Sequence, residues 1–330
     1  MVTWLKNILK KNSALFYLAR VIKYGSESVP MVFHCRDYTQ NKYIRNFLKV
    51  IVAPWCVFRY FFPEKISVSG REGLAFVLIA KNEAQYIEEW INFHLKQGVS
   101  HFFIYDNEST DNFYDVLKPY IEADIVTYHT IKGKYRQCDA YNMALAEYGR
   151  KFKYMGFIDC DEFVFVRKLL TGGGGYDLYN FVDKFISEHE NAGGIGINWL
   201  IFGSGGLEKK PEGGLLKNYT KCAEKNFVVN RHIKTICDPQ KVFSIISAHY
   251  PFYRKGFYNL DETGHIIEGA LSREVHFDNV RINHYFCKSK EEYVINKIQR
   301  GDVNNFERTM RYFYGHDRNE VLDTEILSRI

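Results

Sequence analysis

The sequence predicts an α/β fold: a mostly parallel, twisted sheet flanked by helices, preceded by a basic helical N-terminal arm and followed by a helical C-terminal segment. Three observations predict it. From residue 74 onward, short apolar runs alternate with segments of helical period, as strand–helix crossovers in a parallel sheet do. The apolar runs are continuous rather than alternating, which suits strands buried on both faces. Residues 1–65 differ in composition, carrying 11 Lys and Arg against only 3 Asp and Glu.

The arm spans residues 1–70. Its cations are interleaved with Trp4, Leu5, Ile8, Leu9, Leu15, Phe16, Leu18, Val21 and Ile22, and cations interrupt the start too often for a secretory leader. A later run, "NFLKVIVAPWCVFRYFFP", is almost wholly apolar but contains Lys49, Pro54 and Arg59. Its apolar length falls short of the ~20 residues a spanning helix needs. Two readings follow: an interfacial segment drawn to an anionic membrane surface, or a helical arm packed on the following domain.

A single domain is expected over 71–300. "LAFVLIA" is its first strand. "NEAQYIEEWINFHLKQG" follows as a helix with Tyr86, Ile87, Trp90, Ile91 and Leu95 on one face and Gly98 at its end. "VSHFFIYDN" is a strand, and "STDNFYDVLKPYI" a helix opened by capping residues. "ADIVTYHTI", "QCDAYNMALAEYGRKF" and "KYMGFIDCDEF" continue the alternation as strand, helix and strand. "TGGGGYDLYNFVDKFISEH" reads as a loop and helix; Gly172–Gly175 lack the preceding strand and following Lys-Ser/Thr of a phosphate loop. "GGIGINWLIFGSGG" is a strand entering a Gly-rich loop, and "SKEEYVINKIQRG" a helix with Ser289 and Glu292 as a capping box. Residues 301–330 are expected to form a helical extension.

Composition narrows the class. The 330 residues are 25% charged and 46% hydrophobic, ordinary for one large α/β domain with appendages. The 24 Tyr and 26 Phe supply rings for a core or for stacking on sugars or bases. Seven cysteines without a C-x-x-C pair suit a reduced, cytoplasmic chain, resting on the inner membrane face if the arm is interfacial. The net charge is +5, but the arm holds +8 and the remainder −3, which disfavours nucleic acid as a partner.

Three strand ends carry polar residues that a core does not need: Lys81-Asn82-Glu83, Asp106 through Asp111, and Asp159-Cys160-Asp161-Glu162. In a parallel sheet such ends gather along one edge and face one crevice. Asn82, Ser109 and Thr110 also suit helix caps. Asp159 and Asp161, flanking one residue in a turn, suit a hard divalent cation such as Mg²⁺ or Mn²⁺, which takes oxygen ligands and shares its shell with substrate phosphates.

These motifs, together with "QCDAYNMAL", "NWLIFGSGG", "HIKT" and "INHYFCKSKEEY…KIQRG", resemble nucleotide-sugar glycosyltransferases of the GT-A fold. The similarity is to glycosyltransferase family 92 and bacterial family 2-like relatives, over residues 74 to 300. It implies an inverting, metal-dependent transferase that moves a hexose, galactose by the same resemblance, from a UDP-sugar to a glycan or glycolipid hydroxyl, as in capsule or surface polysaccharide synthesis. It implies that Lys81, Asn82, Glu83 and Asp106 hold the nucleoside, and that Asp159 serves ribose and metal and Asp161 the metal. It implies that His284 completes the metal shell, with His249 as a rival, and that Lys288 neutralises a phosphate.

An inverting enzyme needs a carboxylate base near the acceptor hydroxyl. Glu208 in "FGSGGLEKK" holds the place of a catalytic acid in β-1,4-galactosyltransferases, although Leu207 stands where they carry another acid; Asp261 and Glu262 are the alternatives. Trp199 and Phe202 are candidates to stack on sugar. Two other classes stand against this one. A nucleotidyltransferase would carry a Gly-rich, cationic loop after the first strand, where "IAKNEAQY" has no glycine. A non-catalytic, membrane-associated scaffold would bind nucleotide without turnover.

Overall fold

The computed structural model describes residues 13–64, 70–71, 73–167, 177–299 and 307–330, and Gly172–Gly175 lie outside that set. The arm contributes α1 (Ser13–Gly25) and α2 (Lys42–Phe61). The domain then runs β1 (Leu74–Ala80), α3 (Ala84–Lys96), β2 (His101–Asp106), α4 (Phe113–Glu122), β3 (Val126–Thr130), α5 (Gln137–Tyr148), β4 (Tyr154–Phe157) and β5 (Glu162–Val166). After α6 (Leu178–Glu188) come β6 (Ala192–Ile201), β7 (Lys221–Cys222), β8 (Ile233–Cys237), β9 (Val242–Ile245), β10 (Pro251–Tyr253), β11 (Tyr258–Leu260), β12 (Ile266–Ile267) and β13 (Val280–His284). The chain closes with α7 (Lys290–Tyr293), which continues as a π-helix over Val294–Gln299, then α8 (Met310–His316) and β14 (Val321–Leu322).

The strand order is β12-β11-β6-β8-β4-β1-β2-β3, with β13 beside β6 and β5 beyond it. Pairing is parallel from β4 through β1 and β2 to β3, and again where β6 meets β11 and β13. β8 is inserted antiparallel between β4 and β6, and β5 and β12 also run antiparallel to their neighbours. The all-buried faces of β1 and β6 explain their continuous apolar runs. Tyr86, Ile87, Trp90 and Ile91 of α3 pack on the sheet, as their spacing predicts, and Gly98 ends that helix at φ +88°. The Ser289–Glu292 capping box forms.

The described part of the arm packs on the domain through a charged cluster. Buried Asp139, at the start of α5, receives Arg36 at 2.9 Å, Arg45 at 3.0 Å and its own neighbour Arg136 at 3.0 Å, while Arg136 also reaches Asp37 at 2.7 Å. No described helix is long and apolar enough to cross a membrane. The C-terminal residues are not purely helical. β14 pairs with β7 as a separate two-stranded sheet, and Asp323 takes Arg281 of β13 at 2.8 Å.

Candidate active site

The Asp-Cys-Asp-Glu stretch is a turn at the edge of the parallel half. β4 ends at Phe157, the Glu162 N–H closes the turn on the Asp159 carbonyl at 3.0 Å, and β5 leaves alongside β13. That register places His284 opposite Glu162, while β13 against β6 sets Ile282 opposite Trp199. Sequence positions more than a hundred residues apart therefore meet at one turn.

Asp159 is held by three donors. Lys234 reaches its Oδ2 at 2.7 Å, and Gln137 and Tyr141 donate to Oδ1 at 3.1 and 3.3 Å. Lys234 is wholly buried, because β8 pairs Gly156 with Ile236 and so carries its lysine just past the end of β4. Burial alone would discharge this amine, but Asp159 and Glu162 hold its pKa above the ordinary value. Glu162 turns away from solvent, accepting from the Asp159 N–H at 2.8 Å and lying 3.4 Å from Lys234. Burial pushes its carboxyl well above the usual range, with Asp159 and Asp161 adding to the rise.

Asp161 faces the opposite side of the turn. Lys297, on the π-helical stretch, pairs with its Oδ2 at 2.7 Å, and His284 Nε2 lies 3.5 Å from Oδ1. Burial raises this carboxyl, but Lys297 and His284 outweigh it and hold the group well below the usual carboxylate range. Burial lowers the pKa of His284 against the opposing pull of Asp161, and its ring lies between Trp199, 4.2 Å away by ring centres, and Phe286.

The other strand ends converge as their positions predict, and each is already structured. Asn82 sits at φ +56°, its N–H bonded to Ser109 Oγ and its Oδ1 to the Thr110 N–H. Asp106 accepts from the Ser109 N–H at 2.9 Å and the Tyr128 hydroxyl at 2.6 Å. Lys288 is buried, lies over the Tyr86 ring and stands 3.5 Å from Glu83. Lys81 is half-buried beside them.

Among the acceptor-side candidates, the fold separates crevice from scaffold. Trp199 gathers His232, His249 and His284 around its ring at centre distances of 4.2 to 5.2 Å. His249 donates from Nδ1 to the Ile233 carbonyl at 2.9 Å, and burial with Lys234 pushes its pKa down to about 4. Phe202 is fully buried in the core beside Tyr285, so no sugar can stack on it. Asp261 organises the hairpin between β11 and β12, accepting from Thr263 and His265, and Glu262 accepts the N–H groups of Asp278, Asn279 and Val280. These are turn-building roles, not acceptor contacts. Glu208 is exposed on a loop that docks on the start of α7, 3.1 Å from Lys290.

Among the described residues, no three His, Cys, Asp or Glu side chains surround one point as a closed metal cage. A hard cation that keeps waters and binds substrate phosphates needs only one or two protein carboxylates. Asp161 Oδ1 and His284 Nε2 fit such a partial shell, and the buried His284 Nδ1 has no partner among the described residues. Asp159 fits less well, since Lys234 already holds the oxygen a cation would take. Lys234, Gln137, Tyr141 and Lys297 were not assigned roles from the sequence, although they lie in the motifs "HIKT", "QCDAYNMAL" and "KIQRG".

A glycosyltransferase family 92 protein of Ricinus communis is 28% identical over 181 residues, 54% of this chain and 31% of the relative. A galactan beta-1,4-galactosyltransferase of Arabidopsis thaliana is 37% identical over 92 residues, 25% of this chain and 18% of the relative. The chain thus spans roughly a third or less of the length of these relatives. Among solved structures, S. aureus TarS 1–349 matches 51% of this chain and 47% of its own at 17% identity and a TM-score of 0.34. Glucosyl-3-phosphoglycerate synthase from Mycobacterium tuberculosis, solved with Mn²⁺ and UDP, matches 40% and 45% at 18% identity and a TM-score of 0.26. The sequence model of glycosyltransferase family 92 matches residues 77–313, well over half of the protein, and the chain belongs to that family.

Proposed function

We propose that the chain transfers a hexose from a UDP-sugar to a glycan or glycolipid hydroxyl, with inversion at the anomeric carbon. The observation that carries this reading is the meeting of Asp161, His284 and Lys297 at the sheet edge that also presents Asn82 and Asp106. Half-buried Asn82 and buried Asp106 form the nucleoside end: pre-positioned acceptors of this kind reject bases that lack a matching N–H. Asp159, with lone pairs still free on a one-third-exposed carboxylate, suits a ribose hydroxyl.

Asp161 and His284 would hold a divalent cation; when bound, it supplies Lewis-acid stabilisation of the departing diphosphate. Lys288 and Lys297 stand within reach of the same region and add positive charge where the leaving group becomes more negative. Trp199 is buried among His232, His249 and His284, so its part is to hold His284 in place beside the cation site. Glu208 is the base favoured here, because it alone of the proposed acids is exposed rather than locked in a turn. The galactosyltransferase similarity supports galactose as the sugar.

A panel of UDP-sugars assayed for UDP release with Mn²⁺, Mg²⁺ or EDTA tests the reading. Release from UDP-galactose, lost with EDTA and reduced at least about 100-fold in Asp161→Ala, is expected. Binding of UDP without turnover of any sugar would support the scaffold reading, and no response to any UDP-sugar would overturn the proposal.

A further inference from the structure

The strongest unexplained feature lies away from the crevice, on the arm. Helix α2 and its C-cap Phe62 expose Ile44, Phe47, Ile51, Trp55, Phe58 and Phe62, each three or four residues after the last, so they form one stripe. At 1.5 Å per residue the stripe is about 27 Å long. Trp55, Phe58 and Phe62 are 68% to 53% exposed and stack in sequence at 5.9 and 5.1 Å, which a soluble surface gains nothing by displaying.

The same three rings form one wall of a cavity of about 600 Å³ between α2, the end of α5 and the β9–β10 hairpin. Arg59, Arg150 and Arg254 line it, and Glu64 is the one carboxylate among its lining residues. Glu64 pairs with Arg150 and takes Arg254 only through its backbone carbonyl at 3.1 Å. Arg59 has an aromatic contact, Phe243, and pairs with no carboxylate among the described residues. Three guanidinium groups therefore face one lining carboxylate, and burial with Arg59 close by lowers the pKa of Arg254 even though Glu64 and Asp238 pull the other way.

An apolar stripe ending in a hollow rich in guanidinium groups has the chemistry of an amphiphile with an anionic head. Guanidinium forks match phosphate oxygens, and aromatic rings seat at the boundary between head groups and acyl chains. Arg45 and Lys49 of α2 pair inward with Glu27 and Asp139, whereas Lys42 and Arg59 pair with no carboxylate among the described residues. With no described helix long and apolar enough to span, the stripe suits a bilayer surface rather than a crossing. We propose that this cavity seats the phosphate of an anionic phospholipid head group while the α2 stripe rests in the bilayer interface. The site is independent of the donor crevice, so it stands or falls apart from the transferase reading.

Flotation of the full chain with vesicles tests it. Expected is recovery with phosphatidylcholine vesicles containing 30 mol% phosphatidylglycerol (roughly one anionic lipid in three) but not with pure phosphatidylcholine. Arg59→Gln combined with Arg254→Gln should weaken recovery about tenfold, and Phe47→Ser with Trp55→Ser should do the same, both with unchanged UDP release and unfolding midpoint. Equal recovery on both vesicles, or full recovery of the arginine variant, would overturn the proposal. Displacement by millimolar inorganic phosphate in place of lipid would identify a soluble-anion site and overturn it too. A stable dimer by light scattering that the stripe variant dissolves, with no vesicle recovery, would assign the face to a second copy instead.

Discussion

Lys297 and Asp161 form a 2.7 Å ion pair in the position where the site chemistry calls for a cation on Asp161. The lysine is one-fifth exposed and sits on a π-helical turn, a geometry often found at functional sites. A carboxylate already paired with an ammonium binds a second cation less readily, so the two compete. The ammonium freed by that exchange would be well placed for a phosphate oxygen.

Lys297→Met is therefore expected to tighten Mn²⁺ binding to the nucleotide-free protein by about tenfold, or ~1.4 kcal/mol. The signal of free Mn²⁺ in electron paramagnetic resonance titrations reads this directly. Weaker or unchanged binding would put the cation elsewhere.

Lys234 is buried between Asp159 and Glu162, and removing it leaves two carboxylates without their cation. Lys234→Met should cost about 3–5 kcal/mol in urea unfolding. Adding Glu162→Gln should restore part of that loss, since burial already biases Glu162 toward its neutral form.

His94 supplies a pH dependence with a definite sign. It is fully buried, bonds the Trp90 carbonyl and accepts the Val164 N–H, and burial pushes its pKa from 6.5 down to about 3. The folded protein keeps this ring neutral, whereas the unfolded chain protonates it below its ordinary value. Its contribution to stability is complete above pH 6.5 and is lost as pH falls toward 3. The expected slope is about 1.4 kcal/mol per pH unit across that window. Chemical denaturation from pH 7 to 4 should show this slope reduced by that amount in His94→Gln.

Glu208→Gln should lower kcat by about 10² to 10³ without moving the unfolding midpoint, because its side chain is exposed and makes only one surface ion pair. An unchanged kcat would exclude it as the base.

The alternating half of the fold was legible because β1, β2 and β4 are mainly apolar runs and α3 and α4 carry a helical period, whereas β3 and α5 were placed mainly by their position in the alternation. The acidic turn was legible for the same reason: nothing in a core asks for three carboxylates beside Phe157. His284 came from resemblance, and the register of β13 against β5 sets it opposite Glu162 at the acidic turn. Lys234 was hidden because "IKTIC" does not reveal that it pairs antiparallel with β4, and only that pairing brings its amine to Asp159. Lys297 was hidden because it reaches Asp161 only through the π-helical course of its segment. Phe202, Asp261 and Glu262 looked available until neighbouring backbone, distant in sequence, claimed them.

The C-terminal clasp bears on how this protein can be shortened. The family match stops at residue 313, yet Asp323 and Glu325 lie beyond it and grip the nearly buried Arg281 and the Arg167 guanidinium. A version cut at the family boundary would strip both anions from β13 and β5, the two strands that bring His284 to the acidic turn. Such trimming removes no residue of the crevice, but it unfastens the frame on which the crevice is hung.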